Sequence, residues 1–410
     1  MLCEECQKIF CGRQMLSEIY FRARNPHHSS LQSIIDASAS GCWVCHRLLA
    51  SLSREIDIKD TLAEISPLIK SSTWHFYRVS DQGRWFLTFR FGDDYFHDLH
   101  VMSHDEYGGP YTNHASIAGD TTMSDAALAQ ASKWYCECLL KHTTCTTSPA
   151  SGCLMPTRLL RIDEDEKHAR LVVTKEKVAQ VSHYSTLSHC WGDSDILKLT
   201  ISNLESFKAG ISLEQLPKTF IEAIFVARKL SIPYIWIDSL CIIQDSDDDW
   251  QTESVSMEDV YGNSILNIMA TVSKNSHEGL SRSRDPKMLE LCPAIQSKWE
   301  DAENDLFYLF NKEIWNDRLY SGPLLKRGWV LQERVLSPRS LHFCDSELLW
   351  ECREMASCET YPAGLPNVCK KKNFKARPLS VSKFYERKYL IDGANKTMKG
   401  IAYDRWIRTN

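Results

Sequence analysis

Tyr234-Ile235-Trp236-Ile237 is a short run, apolar throughout, that ends abruptly on Asp238. Ahead of it, Leu216, Phe220, Ala223, Ala227 and Leu230 recur at helical spacing and make one apolar stripe, which Ser231-Ile232-Pro233 breaks. A strand that is apolar on both sides must be covered on both faces, and a one-sided helix next to it supplies the cover. The same alternation runs from about Ala169 onward. Arg170–Thr174, Tyr184–Ser188, Ile265–Ala270, Ser340–Cys344 and Leu348–Cys352 read as further strands. Ser212–Leu230, Asp248–Tyr261 and Gly328–Leu336 read as helices. Ser212 and Gln215 have capping-box spacing, Pro217 suits a first turn, and Gly262-Asn263 suggests a left-handed C-cap. The expected fold is α/β with a mostly parallel sheet, in which Tyr184–Ser188 and Tyr234–Ile237 are central neighbours.

The first 180 or so residues differ. Trp74–Val79 and Trp85–Phe91 are aromatic and β-branched, and Asp81-Gln82-Gly83 between them signals a hairpin. Tyr107–Asp120 reads as a loop and Ser124–His142 as a helix that ends in the polar stretch Thr143–Gly152. The expected organisation is an α+β region over 1–180, a core over 181–352 and an extension over 353–410. The extension carries a charged run, Lys370–Pro378, that reads as a solvated loop, with nuclear targeting as the alternative. With 48 basic and 53 acidic residues, the formal net charge is −5, which argues against a broad basic surface for nucleic acid. No apolar run reaches the roughly 18 residues of a membrane span. Glu4, Glu5, Lys8 and Arg13 interrupt any secretory core at the start. The sixteen cysteines then read as thiols or metal ligands in a reducing compartment, the cytoplasm.

In parallel sheets, chemistry collects where strands end. Three segments fit. Tyr184–Gly192 runs into Ser188, His189, Trp191 and Gly192; Pro233–Asp245 delivers Asp238, Cys241 and Gln244; Arg327–Phe343 carries Arg327, Trp329, Gln332 and Glu333. Cys241 and His189 could also form a thiol–imidazole pair with Asp238 or Gln244 as orienter, although Leu240-Cys241-Ile242-Ile243 is company typical of an inert thiol. At the N-terminus, Cys3-x-x-Cys6 and Cys42-x-x-Cys45 suit tetrathiolate zinc, with Cys11 and His46 as spare donors and simple packing as the alternative. Cys138, His142 and Cys145 share one face of a helix end and could add ligands or form a packed stripe.

These segments resemble the fungal heterokaryon-incompatibility (HET) domain. The pattern is carried by Tyr184, Leu187, Ser188, His189, Trp191 and Gly192, then Leu216, Pro217 and Thr219. Trp236-Ile237-Asp238, Leu240-Cys241-Ile242, Gln244 and Asp245 follow, then Trp250, Glu253 and Tyr261, and finally Arg327, Trp329, Gln332 and Glu333. The resemblance spans about Tyr184–Phe343, with echoes in Leu2–Cys6 and Gly41–Cys45. It implies a role in non-self recognition and programmed cell death, and a partner that is a second copy or another death-signalling protein. It further implies a distant likeness to Toll/interleukin-receptor (TIR) domains, whose flavodoxin-like fold in some members cleaves NAD. Under that likeness Glu333 is the catalytic glutamate, with His189 and Asp238 beside it. Ser188, Trp191, Gly192, Cys241, Gln244, Arg327, Trp329 and Gln332 would line the NAD site. A non-enzymatic, self-associating signalling module is the competing expectation.

Overall fold

A computed structural model describes residues 1–11, 24–55, 71–79, 84–92, 95–107, 118–145, 155–176, 181, 183–193, 195–299, 303–311, 314–320 and 322–366. The chain groups into two compact units. Among the described residues, one comprises those within 1–116 and 286–315, and the other those within 117–285 and 316–365.

In the first unit, six strands form an antiparallel sheet in the order Asn25–Pro26, Ser72–Val79, Arg84–Phe91, Tyr95–Ser103, Leu306–Phe310, Ile295–Gln296. The expected hairpin is there, with Ser72 opposite Phe91 and Val79 opposite Arg84; its Asp81–Gly83 turn lies outside the described residues. Phe76, Leu87, Phe89 and Leu99 alternate onto one buried face, where they meet Leu31, Ile34, Val44 and Leu48 from the helices Leu31–Ala39 and Trp43–Glu55.

The second unit is built on a nine-stranded sheet. Its order is Ala356–Cys358, Leu348–Cys352, Arg339–Phe343, Leu266–Met269, Ser185–Ser188, Tyr234–Trp236, Arg158–Ile162, His168–Val173, Ile211–Ser212. The Ser185–Ser188 and Tyr234–Trp236 strands are parallel neighbours, with Ser185 opposite Ile235. Leu266–Met269 lies parallel to Ser185–Ser188 and to Arg339–Phe343. The sheet is mixed, however, rather than mostly parallel. Arg158–Ile162, His168–Val173 and Ile211–Ser212 on one side, and Leu348–Cys352 and Ala356–Cys358 on the other, join antiparallel. Short connections such as Asp163–Lys167 and Cys344–Glu347 permit only hairpin returns, so the flanks reverse while the helical crossovers keep the centre parallel.

Two expected helix signals resolve differently. Ile211–Ser212 is used as an edge strand against His168–Ala169, so Ser212 makes no side-chain cap. The helix starts after Pro217 and runs Lys218–Lys229. The Asp247–Gly262 helix ends without a left-handed residue, since Asn263 has φ −97°. The Asn263 N–H reaches Asp259 O and the Ser264 hydroxyl donates to Tyr261 O at 2.8 Å, which caps the last turn and leads straight into the Leu266–Met269 strand. The Gly328–Leu336 helix matches its sequence reading, and Asp125–Lys141 is one residue short of its reading at each end. Residues 353–366 of the expected extension are described and supply the Ala356–Cys358 strand, whereas Lys370–Pro378 and everything else beyond 366 lie outside the described residues.

The two faces of this sheet are chemically different. Leu187, Ile268, Leu341 and Trp350 stand in register on one face, and Trp350 stacks on Trp134 of the Asp125–Lys141 helix at 6.4 Å. The alternate residues Thr186, Ser188, Asn267, Ser340, His342 and Glu351 form a buried polar stripe on the other. Asn267 Oδ1 lies 3.2 Å from both the Thr186 and Ser188 hydroxyls. Arg334 meets Glu351 in a two-pronged pair at 2.7 and 3.0 Å, with His342 Nε2 3.6 Å from the same carboxylate. Buried polar groups are tolerated only when bonded in this way.

Candidate functional site

The carboxyl ends of the parallel strands set the site. Ser188 closes the Ser185–Ser188 strand, and the chain then turns through His189, Cys190 and Trp191. Gly192 ends the turn at φ +73°, and a Cβ there would stand 2.4 Å from the Asn275 Cβ. Gly192→Ala should therefore lower the melting temperature by several degrees. The left-handed backbone alone costs about 1–2 kcal/mol, and the Asn275 contact adds to it. A thermal melt with no shift would show that this turn relaxes freely.

Asp238 follows the Tyr234–Trp236 strand at the start of a one-turn helix, Asp238–Cys241. Its carboxylate accepts from Trp191 Nε1 at 2.8 Å and from the Ser239 N–H at 2.7 Å, and lies 3.9 Å from His189 Nε2. His189 is buried edge-on against Phe220 and near-parallel to Trp191. Burial holds its imidazole below the ordinary value, with Asp238 opposing and Arg327 adding to the effect. His189 is thus a neutral ring at pH 7. Lys198 stands over the Trp191 indole at 5.2 Å, so Trp191 is a fixed wall of the site.

Glu333 arrives from the Gly328–Leu336 helix. Trp329, Gln332 and Glu333 share one face at i, i+3 and i+4, while Val330 and Arg334 turn inward. The half-buried Glu333 carboxylate accepts from the Ser188 and Tyr261 hydroxyls, with Asp238 and Arg327 close enough to act on it. Burial is the largest influence and pushes its carboxyl up to about 7. Arg327 Nη1 donates to His189 O at 2.9 Å and holds the turn against the helix. Trp329 leaves 38% of its surface exposed, so an aromatic face is open beside the carboxylate.

His189, Trp191, Asp238, Arg327 and Glu333 therefore converge, with Ser188 beneath them. Two sequence candidates sit elsewhere in role. Cys241 is fully buried in the apolar core, and burial pushes its thiol up to about 12, which leaves no thiolate for nucleophilic attack. Gln244 spends its amide on Ile242 O at 2.9 Å and Asp238 O at 3.3 Å, so it ties the loop together. Tyr261 belongs to the site; in the sequence it is read as part of the family pattern, with no site role. Burial drives its phenol well above the ordinary value, so it serves as a neutral donor. Arg158 supports Asp238 from behind. It donates to Cys241 O at 2.6 Å and to Asp249 Oδ2 at 2.5 Å, which locks the one-turn helix to the Asp247–Gly262 helix.

Residues 184–333 match the family model for the heterokaryon incompatibility protein (HET). The chain carries a HET domain. No curated protein and no solved structure matches it. The domain begins at Tyr184, whose hydroxyl donates to Val260 O, and ends at Glu333, so its limits enclose every member of the converging set. Among the described residues, no helix is long and apolar enough to cross a membrane.

Outside the HET domain, the N-terminal cysteines gather as a Cys/His cluster that could hold a metal ion such as zinc. Cys3, Cys6, Cys45 and His28 present ligand atoms within 4.8 Å of one another. Cys42 Sγ stands 3.7 Å from Cys6 Sγ, and His27 Nε2 is 3.2 Å from the same sulfur. The Nδ1 atoms of His27 and His28 rest on Ser72 and Ser33, which turns both Nε2 atoms toward the sulfurs. The two histidines were not legible from cysteine spacing; they enter because the Asn25–Pro26 strand pairs with Ser72–Val79. Of the spare donors, His46 bonds Ser38 instead and Cys11 is exposed. Full-length Cys45→Ser should lose about one zinc per chain by elemental analysis. Unchanged zinc would leave these thiols a packing role alone.

Proposed function

We propose that the chain serves heterokaryon incompatibility by cleaving the glycosidic bond of NAD at the Glu333 site, with cell death as the output. The observation that carries this reading is the carboxylate itself. Glu333 stands half-buried where parallel strands end, held by two hydroxyls, beside an exposed indole. Breaking the C1′–N bond sends its electron pair to the departing nicotinamide, which leaves neutral, and builds positive charge on the ribose. A nearby carboxylate stabilises that charge in a low-dielectric setting. Water then adds its oxygen to C1′ and loses a proton, so NAD and water become ADP-ribose, nicotinamide and one proton. Trp329 offers a face for the pyridinium or adenine ring, and Asp238 adds negative charge on the same side.

The test is purified full-length protein incubated with NAD, with free nicotinamide measured by chromatography. Nicotinamide should appear, and its rate should rise from pH 6 to pH 8 as Glu333 ionises through about 7. Absence of nicotinamide across that range would overturn the enzymatic reading and favour a self-associating signalling module.

A further inference from the structure

We infer a second metal centre, distinct from the N-terminal cluster and lying within the HET-bearing unit, formed by Cys138, His142, Cys145 and Cys352. Their ligand atoms lie within 4.8 Å of one another, and His142 Nδ1 is 3.3 Å from Cys352 Sγ. Donor atoms of a tetrahedral zinc with Zn–S of about 2.3 Å stand roughly 3.8 Å apart, so a small contraction of this cluster would close on the ion. Cys138 and His142 come from the end of the Asp125–Lys141 helix, Cys145 from the single 3₁₀ turn after it, and Cys352 from the end of the Leu348–Cys352 strand.

Two features beyond the donors point to a thiolate-bound cation. The first is a set of backbone N–H groups aimed at sulfur. The Met355 N–H donates to Cys352 Sγ at 3.3 Å, and the Arg353 and Glu354 amides point at Cys145. Such donors stabilise metal-bound thiolates. The turns that present them are tied together, since Glu354 Oε1 accepts from both the N–H and the hydroxyl of Thr144 at 2.8 Å. The second is a buried cation. Arg339, 1% exposed, donates to Cys138 Sγ at 3.1 Å and to Cys145 O at 2.7 Å. Three thiolates and one neutral imidazole around a divalent ion carry a net charge of −1, which this guanidinium balances. Binding the ion displaces three thiol protons. A Cys₃His set in a closed, buried position suits a structural zinc. It would staple the end of the helix to the strand that carries Glu351.

The experiment uses full-length protein purified without chelator. Cys352→Ser should lower zinc by about one ion per chain relative to wild type, whereas Cys136→Ser, an exposed cysteine on the same helix, should leave it unchanged. Cobalt(II) exchange should give thiolate-to-metal absorption that weakens in Cys352→Ser. Should that variant fail to fold, wild-type protein is alkylated with and without prior chelator and its peptides are mapped. Labelling of Cys138, Cys145 and Cys352 that depends on chelator supports the centre. Equal zinc in a folded Cys352→Ser variant, or labelling indifferent to chelator, overturns it.

Discussion

Glu333→Gln is expected to lower nicotinamide release by roughly 10²–10³-fold, the range seen when one preorganised electrostatic group is removed from an active site. The substitution keeps the shape of the side chain and one oxygen that can accept from Ser188 or Tyr261, but removes the charge that would face the ribosyl cation. Stability should move the other way. The carboxyl is held at about 7 in the folded protein against 4.5 without the fold, chiefly by burial. A raised carboxyl contributes stability that is fully present below about 4.5 and is lost as pH rises through about 7. Above pH 7 the ionised Glu333 is therefore a strain on the fold, and the Gln variant should melt higher than wild type at pH 8, with the difference shrinking toward pH 5. Raised stability together with lost activity is the signature of a residue kept for function. Paired melts and turnover assays at pH 5 and 8 decide it. A variant that keeps full turnover would remove Glu333 from the chemistry. Equal melting at both pH values would show that burial does not burden the carboxylate.

The second large effect lies one residue along the helix and beneath it. Glu351→Ala should destabilise the HET-bearing unit by about 3–5 kcal/mol, because Arg334 would be left charged in the interior without its carboxylate, keeping the Tyr320 hydroxyl at 3.2 Å. Arg334 and Glu351 expose 2% and 0% of their side chains and meet in a two-pronged contact. At about 2–4 °C per kcal/mol for a unit of this size, the melting temperature should drop by roughly 6–20 °C. Replacing both partners with apolar residues, Arg334→Met with Glu351→Leu, should recover most of that loss. The pair also holds the inward face of the helix whose outward face carries Trp329 and Glu333. Denaturant melts of the single and double variants provide the check. A loss under 1 kcal/mol in the single variant would mean that solvent reaches the pair.

What the sequence by itself determined was local. The Tyr234–Ile237 run, the Gly328–Leu336 helix, and the strands around Leu187, Ile268 and Leu341 were legible. Apolar periodicity and breaker residues act within a few positions of where they are read. The motif order pointed to Ser188, His189, Trp191, Asp238, Arg327 and Glu333, and these converge because the ends of parallel strands share one rim. Tertiary structure alone decided three things. It decided that the sheet is mixed, since whether Arg158–Ile162 or Leu348–Cys352 enters parallel or antiparallel depends on partners far away in the chain. It decided that Thr186, Ser188, Asn267, Ser340, His342 and Glu351 form one buried polar stripe. Each looks like an ordinary alternation in its own strand, and only register brings them side by side. It also decided which donors meet, drawing His28 to Cys45 and Cys352 to Cys138. Spacing on one helix end could place Cys138, His142 and Cys145 together, but the distant donors His28 and Cys352 are brought in by strand pairing and helix docking across long chain separations.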